Sequence, residues 1–415
     1  MSEDHHPRTD TILPVVFGGD VGAYNLGLEC YEAFGVRSIN VAHEPVDLIT
    51  RSAIFDIIRI SPQASDEERL EVLRTIVKDN PGRSPILLAN NDALIAFFSR
   101  HREELDQHFA IPFPSKKIID LLTSKDSFAE VCAKAGALTP PTVVVDLSTA
   151  DEEGWEPPIL DFRYPMVAKA DSSDTYEKYD FPGKKKIWYI DTPEELAGLW
   201  ESLIAAGYRD KFLVQELIPG DDTYKRTVTL YVDSSGKVTL RAAGQVLLED
   251  PSPTMIGNPA AMISRSMPEL WAAAERILEV LDYRGFANFD LKVDPRDGTP
   301  YFFELNPRAG RSSYFIVAGG QNPMEIMARD LVLHEDVEPV DASRHALYTL
   351  LPIALILRYV KEPRLRNEIK WLVKRNRVLN PLYVPVEKDL KRRMIVRIQG
   401  LNHFRKFQRY YRADL

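Results

Sequence analysis

Two alternating segments, Phe286–Asp294 and Tyr301–Asn306, constrain this chain more than any other stretch of it. They flank a turn that holds Asp297-Gly298. An Asp-Gly turn between two alternating runs specifies a two-stranded antiparallel hairpin. Side chains alternate along a strand, so Asp290, Lys292 and Asp294 share one face, and Glu304 and Asn306 share one face of the partner. Phe289, Leu291, Phe303 and Leu305 mark the core side. Pairing the strands sets Asp290 opposite Glu304 and Asn306. Two carboxylates and an amide on rigid backbone are hard oxygen ligands, which Mg²⁺ takes together with substrate phosphates. The alternative is an ordinary solvated polar face; Arg308, two residues past Asn306, favours the metal reading.

The body that carries this hairpin is large. A chain of 415 residues exceeds one typical core and predicts two to three domains. An apolar strand, Ile12–Phe17, leads into Gly18-Gly19-Asp20-Val21-Gly22 and a helical pattern through Glu32. Further strands read Ser38–Val41 and Ile86–Ala89, the latter ending at Asn90-Asn91-Asp92. Strands alternating with helices predict a parallel, doubly wound sheet. The glycine spacing is not G-x-G-x-x-G and no acidic residue ends the second strand, so a structural turn is favoured over a dinucleotide site. A nicotinamide oxidoreductase is the weakest of the functional readings.

Beyond Pro112 and Pro114 the pattern predicts a helix over Ser124–Ala135 stopped by Gly136, and strands over Thr142–Val145 and Tyr164–Ala170. Asp171–Lys186 reads as a polar loop ending in three lysines. Thr192-Pro193-Glu194-Glu195 and Ser266-Met267-Pro268-Glu269 read as capping boxes opening two helices. Phe212–Ile218 is a strand, and Thr227–Asp233 with Lys237–Glu249 a hairpin. Asn258–Arg265 reads as a substrate loop.

Composition removes several classes. Cys30 and Cys132 are the only cysteines and have no CxxC partner, which excludes a disulfide framework and a cysteine-based zinc site and fits a reducing, cytoplasmic setting. The polar first ten residues hold no secretory signal. The apolar run Ala346–Leu357, broken by Pro352, is too short to span a membrane and reads as a buried strand or core helix. The histidines supply no base near these motifs. The net charge of -9 is uneven: residues 344–415 hold 18 Lys and Arg against 5 Asp and Glu, on an acidic remainder. A basic tail on an acidic body predicts an anionic partner or an internal docking contact.

Asp290…Glu304-Leu305-Asn306-Pro307-Arg308, with the carboxylates 14 positions apart, resembles the metal signature of ATP-grasp carboxylate–amine ligases. The resemblance runs backwards in order through Val214-Gln215-Glu216-Leu217-Ile218-Pro219-Gly220-Asp221-Asp222, Lys169 and Lys125, and covers about Ile12 to Asp330. It implies an α/β and α+β multidomain protein. The divisions would be a Rossmann-like domain over 1–115, a small ATP-grasp subdomain over 116–210, a large one with the metal site over 211–335, and a basic C-terminal extension over 336–415. It further implies ATP with Mg²⁺, two ions, Mn²⁺ being an alternative. Asp290, Glu304 and Asn306 would hold the metal, Lys125 and Lys169 the α- and β-phosphates. Gln215, Glu216, Leu217 and Ile218 would line the adenine pocket, and Asp222 would bind the ribose. The triphosphate loop is often glycine- and serine-rich in this superfamily; here Lys184 and its neighbours would supply charge instead.

Arg308, Arg311 and Lys292 are the candidate catalytic residues, Arg308 for the transferring phosphoryl group or oxyanion and Arg311 for a substrate carboxylate. D-alanine ligases have an arginine where this chain has Asn288, which argues against that activity. The Gly-Lys-Lys-Lys loop with Arg311-Ser312-Ser313 makes the chain similar to D-aspartate ligases of cell-wall precursor synthesis. The resemblance implies that an amino-acid carboxylate is activated as an acyl phosphate and joined to an amine, giving an amide, ADP and phosphate. An L-amino-acid ligase and a non-catalytic nucleotide-binding scaffold are the alternatives. The partners implied are a small amino acid and an amine acceptor, without nucleic acid. A peripheral contact of the basic C-terminus with an anionic surface and a homodimer stay open.

Overall fold

A computed structural model describes residues 11–123, 125–152, 154–171, 173–253 and 255–411. The chain opens as its sequence predicts. β1 (Ile12–Phe17), β2 (Ser38–Ala42), β3 (Phe55–Arg59) and β4 (Ser84–Ala89) form a parallel sheet in the order β3-β2-β1-β4. Every residue of β1 is buried, as befits a central parallel strand covered on both faces. The helix Val21–Phe34 follows β1: Asp20 accepts hydrogen bonds from the Gly22 and Ala23 amides, and Gly35, at φ 67°, ends it. β3 is an addition to the expected strands. It is an edge strand with charged, exposed Asp56 and Arg59, so its sequence lacks a buried strand's apolar run.

β5 (Thr142–Asp146), β6 (Met166–Ala170), β7 (Trp188–Ile190) and β8 (Lys211–Glu216) make a small antiparallel sheet, ordered β5-β8-β6-β7. The helix Pro193–Ala205 covers it, burying Leu199, Trp200 and Leu203 with Phe212 and Val214. Thr192 accepts from the Glu195 amide at 3.3 Å, and the Glu195 carboxylate accepts from the Asp191 amide, so the predicted cap forms one residue wide of its usual pairing. The expected loop over 171–186 contains a short helix, Ser173–Glu177.

The third sheet is the largest. Its strands are β9 (Lys225–Val232), β10 (Val238–Glu249), β11 (Pro259–Ser264), β12 (Gly285–Val293), β13 (Pro300–Asn306), β14 (Val340–Ala342), β15 (Ala346–Thr349) and β16 (Val378–Leu379). They run β13-β12-β9-β10-β11-β15-β16, with β14 paired to β10. Two expectations are corrected here. The stretch Asn258–Arg265 is not a substrate loop, because Pro259–Ser264 is a buried inner strand whose short, small-residue apolar run carries no clear period. Ser266 does not cap the helix Pro268–Leu281: its N-cap is Met267, which makes no side-chain bond, and Pro268 sets the first turn instead.

Sheet membership cuts across the expected divisions. β8, placed by sequence at the start of the large unit, belongs to the small sheet, and β14 to β16 extend the large sheet from within the basic C-terminal region. The apolar run Ala346–Leu357 is both strand and helix, β15 and Ile353–Tyr359, divided at Pro352.

The last element among the described residues is a 21-residue helix, Leu390–Tyr410, fastened back onto the helices that flank the first sheet. Arg392 is fully buried, 4.9 Å over the Tyr24 ring and 3.6 Å from the equally buried Glu387. It donates to the Leu48 and Leu382 carbonyls, while Glu387 accepts from the Tyr24 and Ser52 hydroxyls and the Ala53 amide. Among the described residues no helix is long and apolar enough to cross a membrane. Removing one partner of a buried ion pair strands the other. Arg392→Ala is therefore expected to destabilise the protein by about 3–5 kcal/mol, seen as a lowered unfolding midpoint in calorimetry.

Candidate active site

β12 and β13 pair as the hairpin pattern requires, with Asp290 opposite Glu304 and Asn288 opposite Asn306. The register then slips, because Leu291 faces Phe302 and leaves Phe303 as an extra residue. This bulge exchanges the expected core residue: Phe302, not Phe303, is buried, edge-on to Phe289 at 5.7 Å. The Asn306 amide nitrogen donates to Asp290 at 3.0 Å and to Glu304 at 3.5 Å, and its oxygen accepts from Arg308 at 3.1 Å.

Burial and the facing Glu304 push the Asp290 carboxyl well above the usual carboxylate range, against the opposing pull of Arg308. Two carboxylates held this close on rigid strands favour a bound cation, so the donor set fits Mg²⁺. Among the described residues no cluster of three or more His, Cys, Asp or Glu suits a metal. A cation here would draw its remaining ligands from the Asn306 amide, water and substrate oxygens, as Mg²⁺ does with phosphates.

The small sheet supplies Lys169, on β6. Burial lowers its ammonium pKa, while Glu304 and Asp171 raise it and Lys186 opposes them. Of the three loop lysines, Lys186 is the one whose charge acts on Lys169. Lys184 is not: its ammonium is spent on the Tyr179 and Glu177 carbonyls and lies 4.8 Å over the Tyr176 ring, because the loop folds back over its own short helix. Lys125 opens the helix Lys125–Lys134, and its side chain lies outside the described residues.

Gln215 and Glu216 end β8, Leu217 follows half-buried, and Ile218 is buried. Gln215 donates to Thr142, and Arg296, held by Asp294 in the hairpin turn, comes within 3.7 Å of Glu216. Asp222 is occupied on both oxygens, by Lys225 at 3.0 Å and by the Glu249 amide at 3.0 Å. Lys292 is buried beside this group rather than beside Glu304. Burial and Lys225 lower its pKa to about 8, against Asp222, Glu249 and Asp221.

The first sheet completes the site from the other side. Ligands of open parallel sheets bind beyond the carboxyl ends of the strands, where neighbouring connections diverge. At the ends of β1 and β4 stand Asp20, Asn90 and Asp92. Asp92 pairs with Arg308 at 2.7 Å and Asp20 with Arg311 at 2.8 Å, while Asn90 donates to Asp20. A β-carbon on Gly22 would fall 1.9 Å from the Asn90 amide and 2.8 Å from Arg311, so only glycine admits this approach. Asp20 and Asp92 belong to no motif of the sequence; their place just beyond two parallel strands is the signal it carries for them.

One face of the helix Val21–Phe34 holds the Arg311 segment in place. Asn25 donates to the Arg311 carbonyl, Ser313 to Glu29 at 2.6 Å, Asn322 to the Glu29 carbonyl and Tyr314 to Glu32. Burial raises the Glu29 carboxyl to about 8, the Ser313 hydroxyl working against it.

Three expectations follow. Glu304→Ala is expected to abolish turnover without unfolding the chain, and Lys169→Ala to raise the apparent KM for ATP; steady-state kinetics and circular dichroism check both. Glu29 binds its proton more tightly folded than unfolded. Its contribution to stability is therefore full below the ordinary carboxyl value of 4.5 and is lost as the pH rises towards about 8. Denaturant unfolding at pH 5 and pH 8 is expected to show that loss in the parent and a flatter profile in Glu29→Gln.

No protein-family profile matches the chain. It is 28% identical, over 97% of its length and 98% of the relative's, to a D-aspartate ligase of Enterococcus faecium (strain Aus0004). Among solved structures it resembles N5-carboxyaminoimidazole synthetase from Staphylococcus aureus complexed with ADP, at a TM-score of 0.57 and 12% identity over 81% of each chain. It also resembles L-amino acid ligase from Bacillus licheniformis, at a TM-score of 0.53 and 15% identity over 77% of this chain and 74% of that one. With its three sheets meeting at the carboxylate pair, the chain has the ATP-grasp fold and is similar over nearly its whole length to a D-aspartate ligase.

Proposed function

We propose that the chain is an ATP-dependent ligase that activates an amino-acid carboxylate and joins it to an amine. The observation that carries this reading is the meeting of the carboxylate pair and Lys169 with a group of alternating charge, Asp92–Arg308 and Asp20–Arg311. An amino acid is both cation and anion. Its ammonium group matches Asp20 and Asp92, and its carboxylates match the planar forks of Arg308 and Arg311. The similarity to a D-aspartate ligase supports D-aspartate as that amino acid.

A carboxylate is a poor electrophile because it would have to expel oxide. Its oxygen attacks the γ-phosphorus of ATP, ADP leaves, and the acyl phosphate now carries a good leaving group. The amine attacks the acyl carbon, phosphate departs, and the nitrogen gives up a proton to form the amide. Phosphoryl transfer depends on positioning and charge neutralisation. Asp290, Glu304 and Asn306 are the residues that would hold Mg²⁺, which when bound neutralises the phosphate oxygens. Lys125, Lys169 and Lys186 add charge along the phosphates. Gln215 to Ile218 form the adenine side, and Asp222, whose oxygens already accept from Lys225 and the Glu249 amide, would take the ribose hydroxyls on its remaining lone pairs. Arg308 stabilises the transferring group, and Arg311, oriented by Asp20 and the helix behind it, holds the amino acid.

In this reading the β-carboxylate of D-aspartate is activated. The acceptor is the side-chain amine of a cell-wall peptide precursor, and the reaction belongs in the cytoplasm. The test is a phosphate-release screen with Mg²⁺ and ATP over D- and L-amino acids, with and without a muramyl-peptide amine, followed by mass spectrometry. Turnover that needs D-aspartate and the amine is expected. Turnover confined to L-amino acids would move the assignment to a dipeptide-forming ligase, and nucleotide binding without any turnover would sink the enzymatic reading.

A further inference from the structure

The C-terminal helix Leu390–Tyr410 presents two apolar faces, and only one of them is used inside the molecule. The inner face docks through Arg392, Val396 and Phe407. On the opposite side Leu390 is 78% exposed, Met394 54%, Ile398 49% and Leu401 68%. At 3.6 residues per turn these four fall within an arc of about 80°. Lys391 and Arg409 flank the stripe on one edge and Arg397 on the other, and Arg405 continues it one turn further on; all four are exposed. The helix carries no acidic residue from Leu390 to Tyr410. Four large apolar side chains in line on an exposed helix mark a contact surface rather than scattered exposure.

We infer that this face docks on an anionic lipid surface. An apolar stripe edged by cations is the pattern of a helix lying in the plane of a bilayer: the stripe enters the acyl boundary and the cations meet the headgroups. The helix is already folded and anchored by Arg392, so docking needs no ordering of the chain. A second copy of the chain fits the face poorly, since a two-fold contact would set the same cationic edges against each other. A small soluble anion would leave the apolar stripe uncovered. The inner face of the same helix reaches the site: Lys406 pairs with Asp250 at 3.0 Å, and the loop that Asp250 opens carries Met255 to within 3.5 Å of an Arg311 nitrogen.

The experiment is flotation of the full chain with vesicles of equal parts phosphatidylglycerol and phosphatidylcholine, against phosphatidylcholine alone. Binding to the anionic vesicles only, weakened by salt, is expected. The double variant Met394→Glu/Leu401→Glu is expected to lose about tenfold or more in partitioning, with its circular dichroism and its nucleotide turnover without vesicles unchanged. The inference is overturned if the parent chain stays with the aqueous phase, if the variant binds as the parent does, or if the variant only abolishes a self-association seen in sedimentation. Flotation does not depend on turnover, so this outcome is separate from that of the ligase assay.

Discussion

Two carboxylates, on Asp290 and Glu304, face each other across a β-ladder, and their mutual repulsion explains much of what surrounds them. Repulsion at this range is offset by donors and cations: the Asn306 amide, Lys169 and Arg308. The hairpin supplies the Asn306 amide, and the small sheet supplies Lys169. The first sheet supplies Asp92, which turns Arg308 towards Asn306. Polar contacts around one pair of acids therefore join the three sheets, and an apolar core joins the first to the largest. In the proposed reading, a cation and a polyphosphate would complete this charge distribution.

The second organising element is the helix Val21–Phe34. Its outer surface belongs to the core it shares with the large sheet, yet Asn25, Glu29 and Glu32 spend their polar groups on residues 311–322. A buried carboxyl with one oxygen unpartnered is an expensive residue for a structural contact. What it secures is the position of the segment from which Arg311 projects, a segment without regular structure until Tyr314. Rigid support of this kind is how a loop residue acquires a fixed geometry.

Elements that one local pattern decides are legible in the sequence. The hairpin of Asp290 and Glu304, the first strand with its Asp20 turn, and the Thr192 helix start each depend on a few neighbouring residues. Elements that depend on partners far along the chain are not. The bulge at Phe303 arises from the fit of β13 onto β12, and β11 is a strand because β10 and β15 flank it. Lys184 sits in a lysine run whose members are sorted only by how the loop folds over Tyr176. Asp20 and Asp92 lie 72 positions apart and come to the same end of the first sheet only through the pairing of β1 with β4.

The buried contact of Arg392 and Glu387 with Tyr24 spans more than 360 positions of sequence. The ring of Tyr24 and the Leu48 carbonyl thus take their partners from residues far away in sequence. The same helix Val21–Phe34 holds the Arg311 segment through Asn25 and Glu29. One helix therefore couples two remote parts of the chain: a change that loosens Arg392 or Glu387 would also loosen the backing of the Arg311 segment, although neither residue touches it.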